Sequence, residues 1–220
     1  MARRTKQEAD ETREALLDAA EQVFLERGVA RASLDEVARV AGCTRGAVHW
    51  HFRDKLGLFL ALDERLLLLQ DELCVALGRE PEGPVLPAMA EAICESLTRL
   101  EQDERRARLL TIMLERCEYV ADMAPALQRR READVKMRQR VEERFRLAAE
   151  RGELGPCWTP ERASLFLKAL IGGFIHMWVA GVADFRFSDE VCAAVRGFLQ
   201  ACAAAPAAAP SPQRTGMACA

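Results

Sequence analysis

Apolar residues recur at three- and four-residue intervals along almost the whole chain, and no run of strict alternation bounded by turn residues interrupts them. That periodicity suits helices and not a sheet core, so the predicted fold class is all-α. The 220 residues leave room for one long domain or two unequal ones. From about Asp10 to Arg27, Leu16, Leu17, Ala20, Val23 and Phe24 form one stripe, and Gly28 stands where a left-handed residue would end a helix. Ser33-Leu34-Asp35-Glu36 has the form of a capping box and opens a second helix to Ala41. Gly42-Cys43 is a tight turn, Thr44 caps a short third helix through about Phe52, and a long fourth helix ends near Leu77. After breaks at Pro81, Gly83, Pro84 and Pro87, helices fit residues 87–101, 104–117 and 124–151. Thr159-Pro160-Glu161 opens another to about Val182, and Ser188-Asp189-Glu190 opens the last to about Ala203, about nine in all. Residues 205–220 are dominated by Ala, Pro, Ser and Gly and read as a disordered tail.

Charge narrows the function. With 31 basic and 34 acidic residues the net charge is −3, so the chain is not a basic polymer that coats nucleic acid or anionic lipid. Any nucleic-acid role must be local, and the basic residues are indeed local: Arg3, Arg4 and Lys6 have no acid among residues 1–6, and Arg45, Arg53 and Lys55 face only Asp54 in residues 42–55. Residues 169–183 are uncharged but too few for the roughly 20 that cross a bilayer, and they read as a buried helix. The N-terminus runs into acidic residues instead of an apolar signal segment. A cytoplasmic protein without a membrane partner is expected.

The eight cysteines are scattered, with neither a CxxC pair nor zinc spacing, and read mainly as small core hydrophobes. His49 and His51 make a poor metal pair, because a two-residue step turns roughly 200° around a helix. No metal and no cofactor are expected. No spacing orients Cys, His and a carboxylate together, so a Cys-His enzyme is only a remote alternative to a non-enzyme.

Three short helices in the first 52 residues, the second and third joined by a Gly-centred turn, are what a helix-turn-helix requires. Ala38 falls where the two helices touch, Gly42 in the turn and Val48 on the core face, with Val37, Ala41 and Cys43 completing a small apolar core. The opposite face then presents Thr44, Arg45, Gly46 and His49, with Arg53 and Lys55 beyond. A DNA major groove about 12 Å wide admits such a helix, and its N-terminal turn reaches the bases. Arg45 is therefore best placed to read sequence, since a guanidinium can bond guanine O6 and N7 together. Gly46 allows close approach, and Ser33 and Thr44 sit at helix N-termini that suit phosphates. Lys55 adds a point charge, and Arg3 and Arg4 could reach a flanking groove. Trp50 either buries part of its ring under the first or fourth helix or stacks on a base, and His51 is either a backbone contact or a partly buried residue.

Residues 10–60, including TRGAVHWHFRDKLGLF from Thr44 to Phe59, resemble the DNA-binding segment of the TetR family of bacterial repressors. That stretch, the start Met-Ala-Arg-Arg-Thr-Lys-Gln-Glu-Ala, and residues 108–119 with Glu115-Arg116-Cys117-Glu118-Tyr119, are further similar to the AcrR-like branch that controls multidrug efflux pumps. Members commonly carry a phosphate-contacting Tyr where this chain has His49, whose imidazole is shorter, so the resemblance implies an altered contact there. It also implies a TetR-like division: a basic arm at 1–9, a DNA-binding domain at 10–70 with the helix-turn-helix at about 33–52 and helix four bridging, and a ligand-binding and dimerisation domain at 71–204. The implied partners are double-stranded operator DNA, a second copy of the chain and a small-molecule inducer, apolar or cationic.

Two features of the sequence fit that larger domain. Gly172-Gly173 inside an apolar helix costs about 1 kcal/mol each against Ala, which points to a packing or cavity reason. Phe166, Leu170, Phe174, Met177 and Trp178 around them, with Leu66, Met89, Ile93, Ile112 and Met113, are the expected wall of an adaptable apolar pocket. By the resemblance the last two helices pair with their copies in a four-helix interface, Gly173 and Phe198 among its residues. Ligand then favours a tilt of helix four that changes the spacing of the recognition helices from the roughly 34–36 Å of one DNA turn. The alternative signal is oxidation, with Cys43, or Cys117 beside Arg116, as sensor thiol.

Overall fold

The computed structural model describes residues 6–182 and 184–204, the side chains of residues 68–70 excepted. Arg3 and Arg4, and the expected tail at 205–220, lie outside the described residues. Within them the chain forms α1 (Lys6–Arg27), α2 (Leu34–Val40), α3 (Arg45–Phe52), α4 (Lys55–Gly78), α5 (Val85–Gln102), α6 (Glu104–Glu115), a single 3-10 turn (Ala121–Met123), α7 (Ala124–Glu150), α8 (Pro160–Val179) and α9 (Phe187–Cys202). The all-α reading and its helix order hold. The first helix starts earlier than expected, so residues 6–9 of the predicted arm are its first turn.

Helix α1 is the axis of the N-terminal part. Its stripe of Leu16, Leu17, Ala20, Val23 and Phe24 is buried against Val37, Val48, Phe52, Leu58 and Phe59. Two glycines turn the chain. Gly28 ends α1 at φ +78, its N–H donating to Phe24 O at 2.9 Å. Gly42 ends α2 at φ +64, with Gly42 N–H donating to Arg39 O and Cys43 N–H to Ala38 O, the paired bonds of a Schellman turn. Thr44 Oγ1 then accepts from Ala47 N–H at 3.2 Å and starts α3. The capping box at α2 is only half made. Ser33 Oγ accepts from Glu36 N–H at 3.2 Å, but the Glu36 carboxylate turns to Arg27 at 3.4 Å.

The remaining helices form the larger part, in which α5 packs along α9, α7 along α8, and α4 against α7. Helix α5 has no side-chain cap of its own at Pro84. Glu153, from the loop after α7, supplies one: its carboxylate accepts from Val85 N–H at 2.6 Å and Leu86 N–H at 3.4 Å. The two parts are held together by an acidic stripe on α1. Glu14 and Asp18 pair with Arg65 of α4, Asp18 also pairs with Arg105 of α6, and buried Glu21 holds both Arg105 at 3.1 Å and Arg108 at 2.7 Å.

The junction of α3 and α4 depends on a glycine that composition alone does not single out. Asp54 caps α4, accepting from Gly57 N–H at 2.8 Å, and this first turn lies so close to the end of α3 that a Cβ on Gly57 would stand 2.1 Å from Phe52 O. The atom met is backbone and cannot swing away. Gly57→Ala should therefore cost about 1–3 kcal/mol, the usual range for overpacking, and lower the thermal midpoint by several degrees for a chain of this size. Thermal denaturation followed by circular dichroism checks this; an unchanged midpoint would show that the junction tolerates a Cβ.

Candidate nucleic-acid interface and ligand cavity

Helix α3 buries Val48 and Phe52 and turns Thr44, Arg45, Gly46, His49, Trp50 and Arg53 to solvent. Arg45 Nη1 donates to Asp35 Oδ2 at 3.1 Å, across from the first turn of α2. Its Nε donates to His49 Nε2 at 3.4 Å, while His49 Nδ1 lies 2.8 Å from Arg53 O. One tautomer, with the proton on Nδ1, satisfies both contacts of the imidazole. Without DNA, Arg45 is thus held in place by an acid that a phosphate or a base could displace. At Gly46 a Cβ would meet only Thr44 Oγ1, at 3.7 Å, so no packing within the chain requires a glycine there.

Trp50 and His51 fall within the alternatives left open for them, and Lys55 differs from the expectation. Trp50 buries little under α1 or α4: it is 73% exposed, its ring edge-on to His51 with centroids 4.4 Å apart. His51 is partly buried. Lys55 is not a free point charge, because its Nζ donates to Val29 O and Ala30 O, both at 3.0 Å, and neutralises carbonyls in the loop after α1. The same loop is held from the other side by Val29 N–H donating to Arg116 O at 2.8 Å. Ser33 and Thr44 hydroxyls are exposed but already accept the capping bonds of their helices.

In the larger part, a cavity of about 250 Å³ lies between α4, α5, α6, α7 and α8. Its apolar lining includes Leu66 and Leu73 of α4, Leu97 of α5, Met137 of α7, and Leu167 and Ile171 of α8. Of the expected wall, Leu66 and Ile93 line it, and Gly172 borders it. Met89, Ile112 and Met113 are buried in the core instead. Phe166, Leu170, Phe174, Met177 and Trp178 belong to other faces of α8, because the cavity face is the Ser164, Leu167, Lys168, Ile171, Ile175 stripe. Phe166 stands edge-on to Trp158, which also meets Phe198; Phe174 meets Phe185, and Trp178 stacks on Phe187.

That outer side overturns the reading of residues 169–183 as a buried helix. No residue from 169 to 182 is buried, Met177 (37%) and Val182 (71%) are exposed, and around Gly173 a Cβ would meet nothing within 4 Å; Leu165 and Phe166 just before are exposed as well. Among the described residues α8 is the one helix long and apolar enough to cross a membrane, and little of it is buried.

Helix α4 touches both places. Its start abuts α3, its middle lines the cavity through Leu66 and Leu73, and between them Phe59 and buried Asp63 face the α6–α7 linker. There Tyr119 and Arg130 both donate to Met113 O, and Arg130 to Tyr119 Oη at 3.2 Å. Burial pushes the Asp63 carboxyl up, against the pull of Arg129, 3.7 Å away, and of Arg130.

Nothing in the surroundings of Cys43 or Cys117 supports the oxidation alternative. Cys74, Cys94, Cys192 and Cys202 are buried, and burial pushes the Cys117 thiol up to about 11, outweighing Arg130. A thiol so protonated is a poor target for peroxide. Cys43 is half-buried, its Sγ against Ala41 O.

Residues 16–62 match the model for bacterial regulatory proteins of the tetR family, and residues 84–203 that for the C-terminal region of MAATS-type transcriptional repressors. The chain is 43% identical to the HTH-type transcriptional repressor BepR of Brucella suis over 187 residues, 83% of this chain and 88% of BepR. It is 36% identical to the HTH-type transcriptional regulator TtgR of Pseudomonas putida over 179 residues, 81% and 85% of the two chains. Among solved structures it superposes with TM-score 0.80 on NalD, the secondary repressor of the MexAB-OprM multidrug efflux pump in Pseudomonas aeruginosa, at 32% identity over 90% of this chain and 98% of NalD. The SmeT–triclosan complex follows at TM-score 0.73 and 28% identity, covering 92% and 98%. With an exposed recognition helix at one end, an apolar cavity at the other and matches that span both, the chain belongs to the tetR family and is a helix-turn-helix transcriptional repressor.

Proposed function

We propose that this repressor governs a multidrug efflux operon, binds a palindromic operator as a homodimer in the cytoplasm, and leaves it when a small apolar molecule enters the α4–α8 cavity. The observation that carries this reading is the span of α4: one rigid helix abuts α3 and lines the cavity. A ligand pressing on Leu66 and Leu73 favours a different inclination of α4, which the contact at Gly57 carries to α3 and the Lys55 bonds carry to the loop after α1. Two relatives support the efflux assignment: NalD is a repressor of the MexAB-OprM pump, and SmeT, which binds triclosan, is the repressor of the SmeDEF pump. Residues 10–70 act as the reader with α4 as bridge, and residues 71–204 as the effector and dimerisation part.

Arg45 reads a base, Thr44 and Ser33 approach phosphates, and Gly46 allows the close approach; His49 orients Arg45. The outer face of α8, with Gly173 and the neighbouring Phe198 of α9, pairs with its copy, which accounts for an apolar surface no single chain covers. The cavity's single acid, Asp134, is already paired with Lys168 at 3.2 Å, so little in the lining favours a cationic ligand.

Arg45→Ala should weaken binding to the operator roughly tenfold or more and leave the thermal midpoint unchanged, because the side chain is 64% exposed; mobility shifts on the upstream DNA against a scrambled duplex measure it, and equal affinity of the wild type for both duplexes would refute the role. Gly173→Arg should fold normally, since its side chain enters open space in one chain, yet run as a monomer in light scattering and lose operator binding; a persisting dimer removes α8 from the interface. Ile171→Trp should fill the cavity, keep operator binding and no longer release DNA with triclosan, whereas release at wild-type concentrations would place the effector elsewhere.

A further inference from the structure

Apart from Ser96 of α5, the cavity's lining is apolar except where α7 and α8 meet, and there its polar groups are few and unequal. Asp134 and Arg138 stand one turn apart on α7, so their side chains share a face. Lys168 reaches across from α8 and pairs with Asp134 at 3.2 Å, both side chains about half exposed. Among the described residues Arg138 has one acid within reach, Glu142 at 3.9 Å, and Arg146 holds that carboxylate more closely. Ser164 is uncharged, and its hydroxyl already donates to Glu161 O at 3.0 Å. The mouth therefore carries two cations against one anion, with the donors of Arg138 largely uncommitted.

Resting on the cavity reading above, we propose that this site selects amphipathic anions: a small apolar body inside, and one carboxylate or phenolate head at the mouth between Arg138 and Lys168. The size of the body follows from the volume. An apolar cavity of about 150 Å³ accepts benzene, so about 250 Å³ suits a ring with a short chain, or a medium alkyl chain. The head gains charge-assisted bonds from Arg138 and shares Lys168 with Asp134. A cationic head meets the reverse: Asp134 is its only attractive partner, and Lys168 already occupies it. Sharing Lys168 also loosens the bridge between α7 and α8, next to the helix that faces the second subunit.

Three probes with one eight-carbon chain separate the body from the head: octanoate, 1-octanol and octylammonium, titrated calorimetrically into the full-length protein below micelle-forming concentrations. Octanoate should bind about tenfold more tightly than 1-octanol, with octylammonium weakest. In the Arg138→Met, Lys168→Met double variant, octanoate should fall to the level of 1-octanol or below, while 1-octanol binds as before. In Lys168→Met alone, Asp134 loses its cation and octylammonium should gain severalfold. Octylammonium equal to or above octanoate in the wild type overturns the proposal without any variant having to fold, and so does an octanoate advantage that survives the double change. If 1-octanol binds but the three heads rank equally, only the head-group selection fails. If none of the three binds, the cavity reading fails with it.

Discussion

The helix that lines the cavity meets the recognition helix at the first turn of α4. Phe52 O and the backbone of Gly57 approach so closely that no side chain fits between them, and Asp54 closes the turn by capping Gly57 N–H. Lys55 fixes the same turn to the carbonyls of Val29 and Ala30, and Val29 N–H donates to Arg116 O on the other side of that loop. A packed contact of this kind is not continuously deformable, and this is why the proposed mechanism has α3 follow a change in the inclination of α4. Were the turn loose, occupancy of a distant cavity would leave the recognition helix where it was.

The electrostatics fit the same division. Cations at the reading face are few and individually held: Arg45 by Asp35 and His49, Lys55 by backbone oxygens. Arg45 and Arg53 both face solvent, and the carboxylate that holds Arg45 is exposed, a contact worth little in water. Most of the other ion pairs bind helix to helix. Glu21 is the strongest case, because it is buried and its two carboxylate oxygens accept separately from Arg105 and Arg108. A net charge of −3 is compatible with DNA reading because its basic residues are placed, not numerous.

Legibility in the sequence divided along a physical line. The helix-turn-helix could be read because each device is local: a stripe at helical spacing, a glycine at positive φ, a Thr whose hydroxyl reaches a backbone N–H three residues on. Helix α8 could be found but not phased, for it is apolar nearly all round, and only packing decides that Leu167 and Ile171 face the cavity while Phe166 and Met177 face outward. Glu153 capping α5, Lys55 capping the loop after α1 and the crowding at Gly57 were illegible for the same reason, since each joins atoms distant in sequence or set by the angle between helices. Likewise Ser33-x-x-Glu36 promises a reciprocal cap, and Arg27 takes the Glu away.

The sequence by itself determined the class, the helix order and the identity of the recognition helix, because periodicity, caps and turn glycines act within a few residues of chain. It also carried the residue types at the reading face, whose exposure follows once Val48 and Phe52 turn inward. The tertiary structure alone decided which face of α8 bounds a cavity, which of its surfaces no single chain covers, and how Asp134, Arg138 and Lys168 come together at the cavity mouth. Those outcomes depend on relative helix rotation and tilt, which are settled by ridges, grooves and long-range ion pairs and leave no mark at any fixed spacing along the chain.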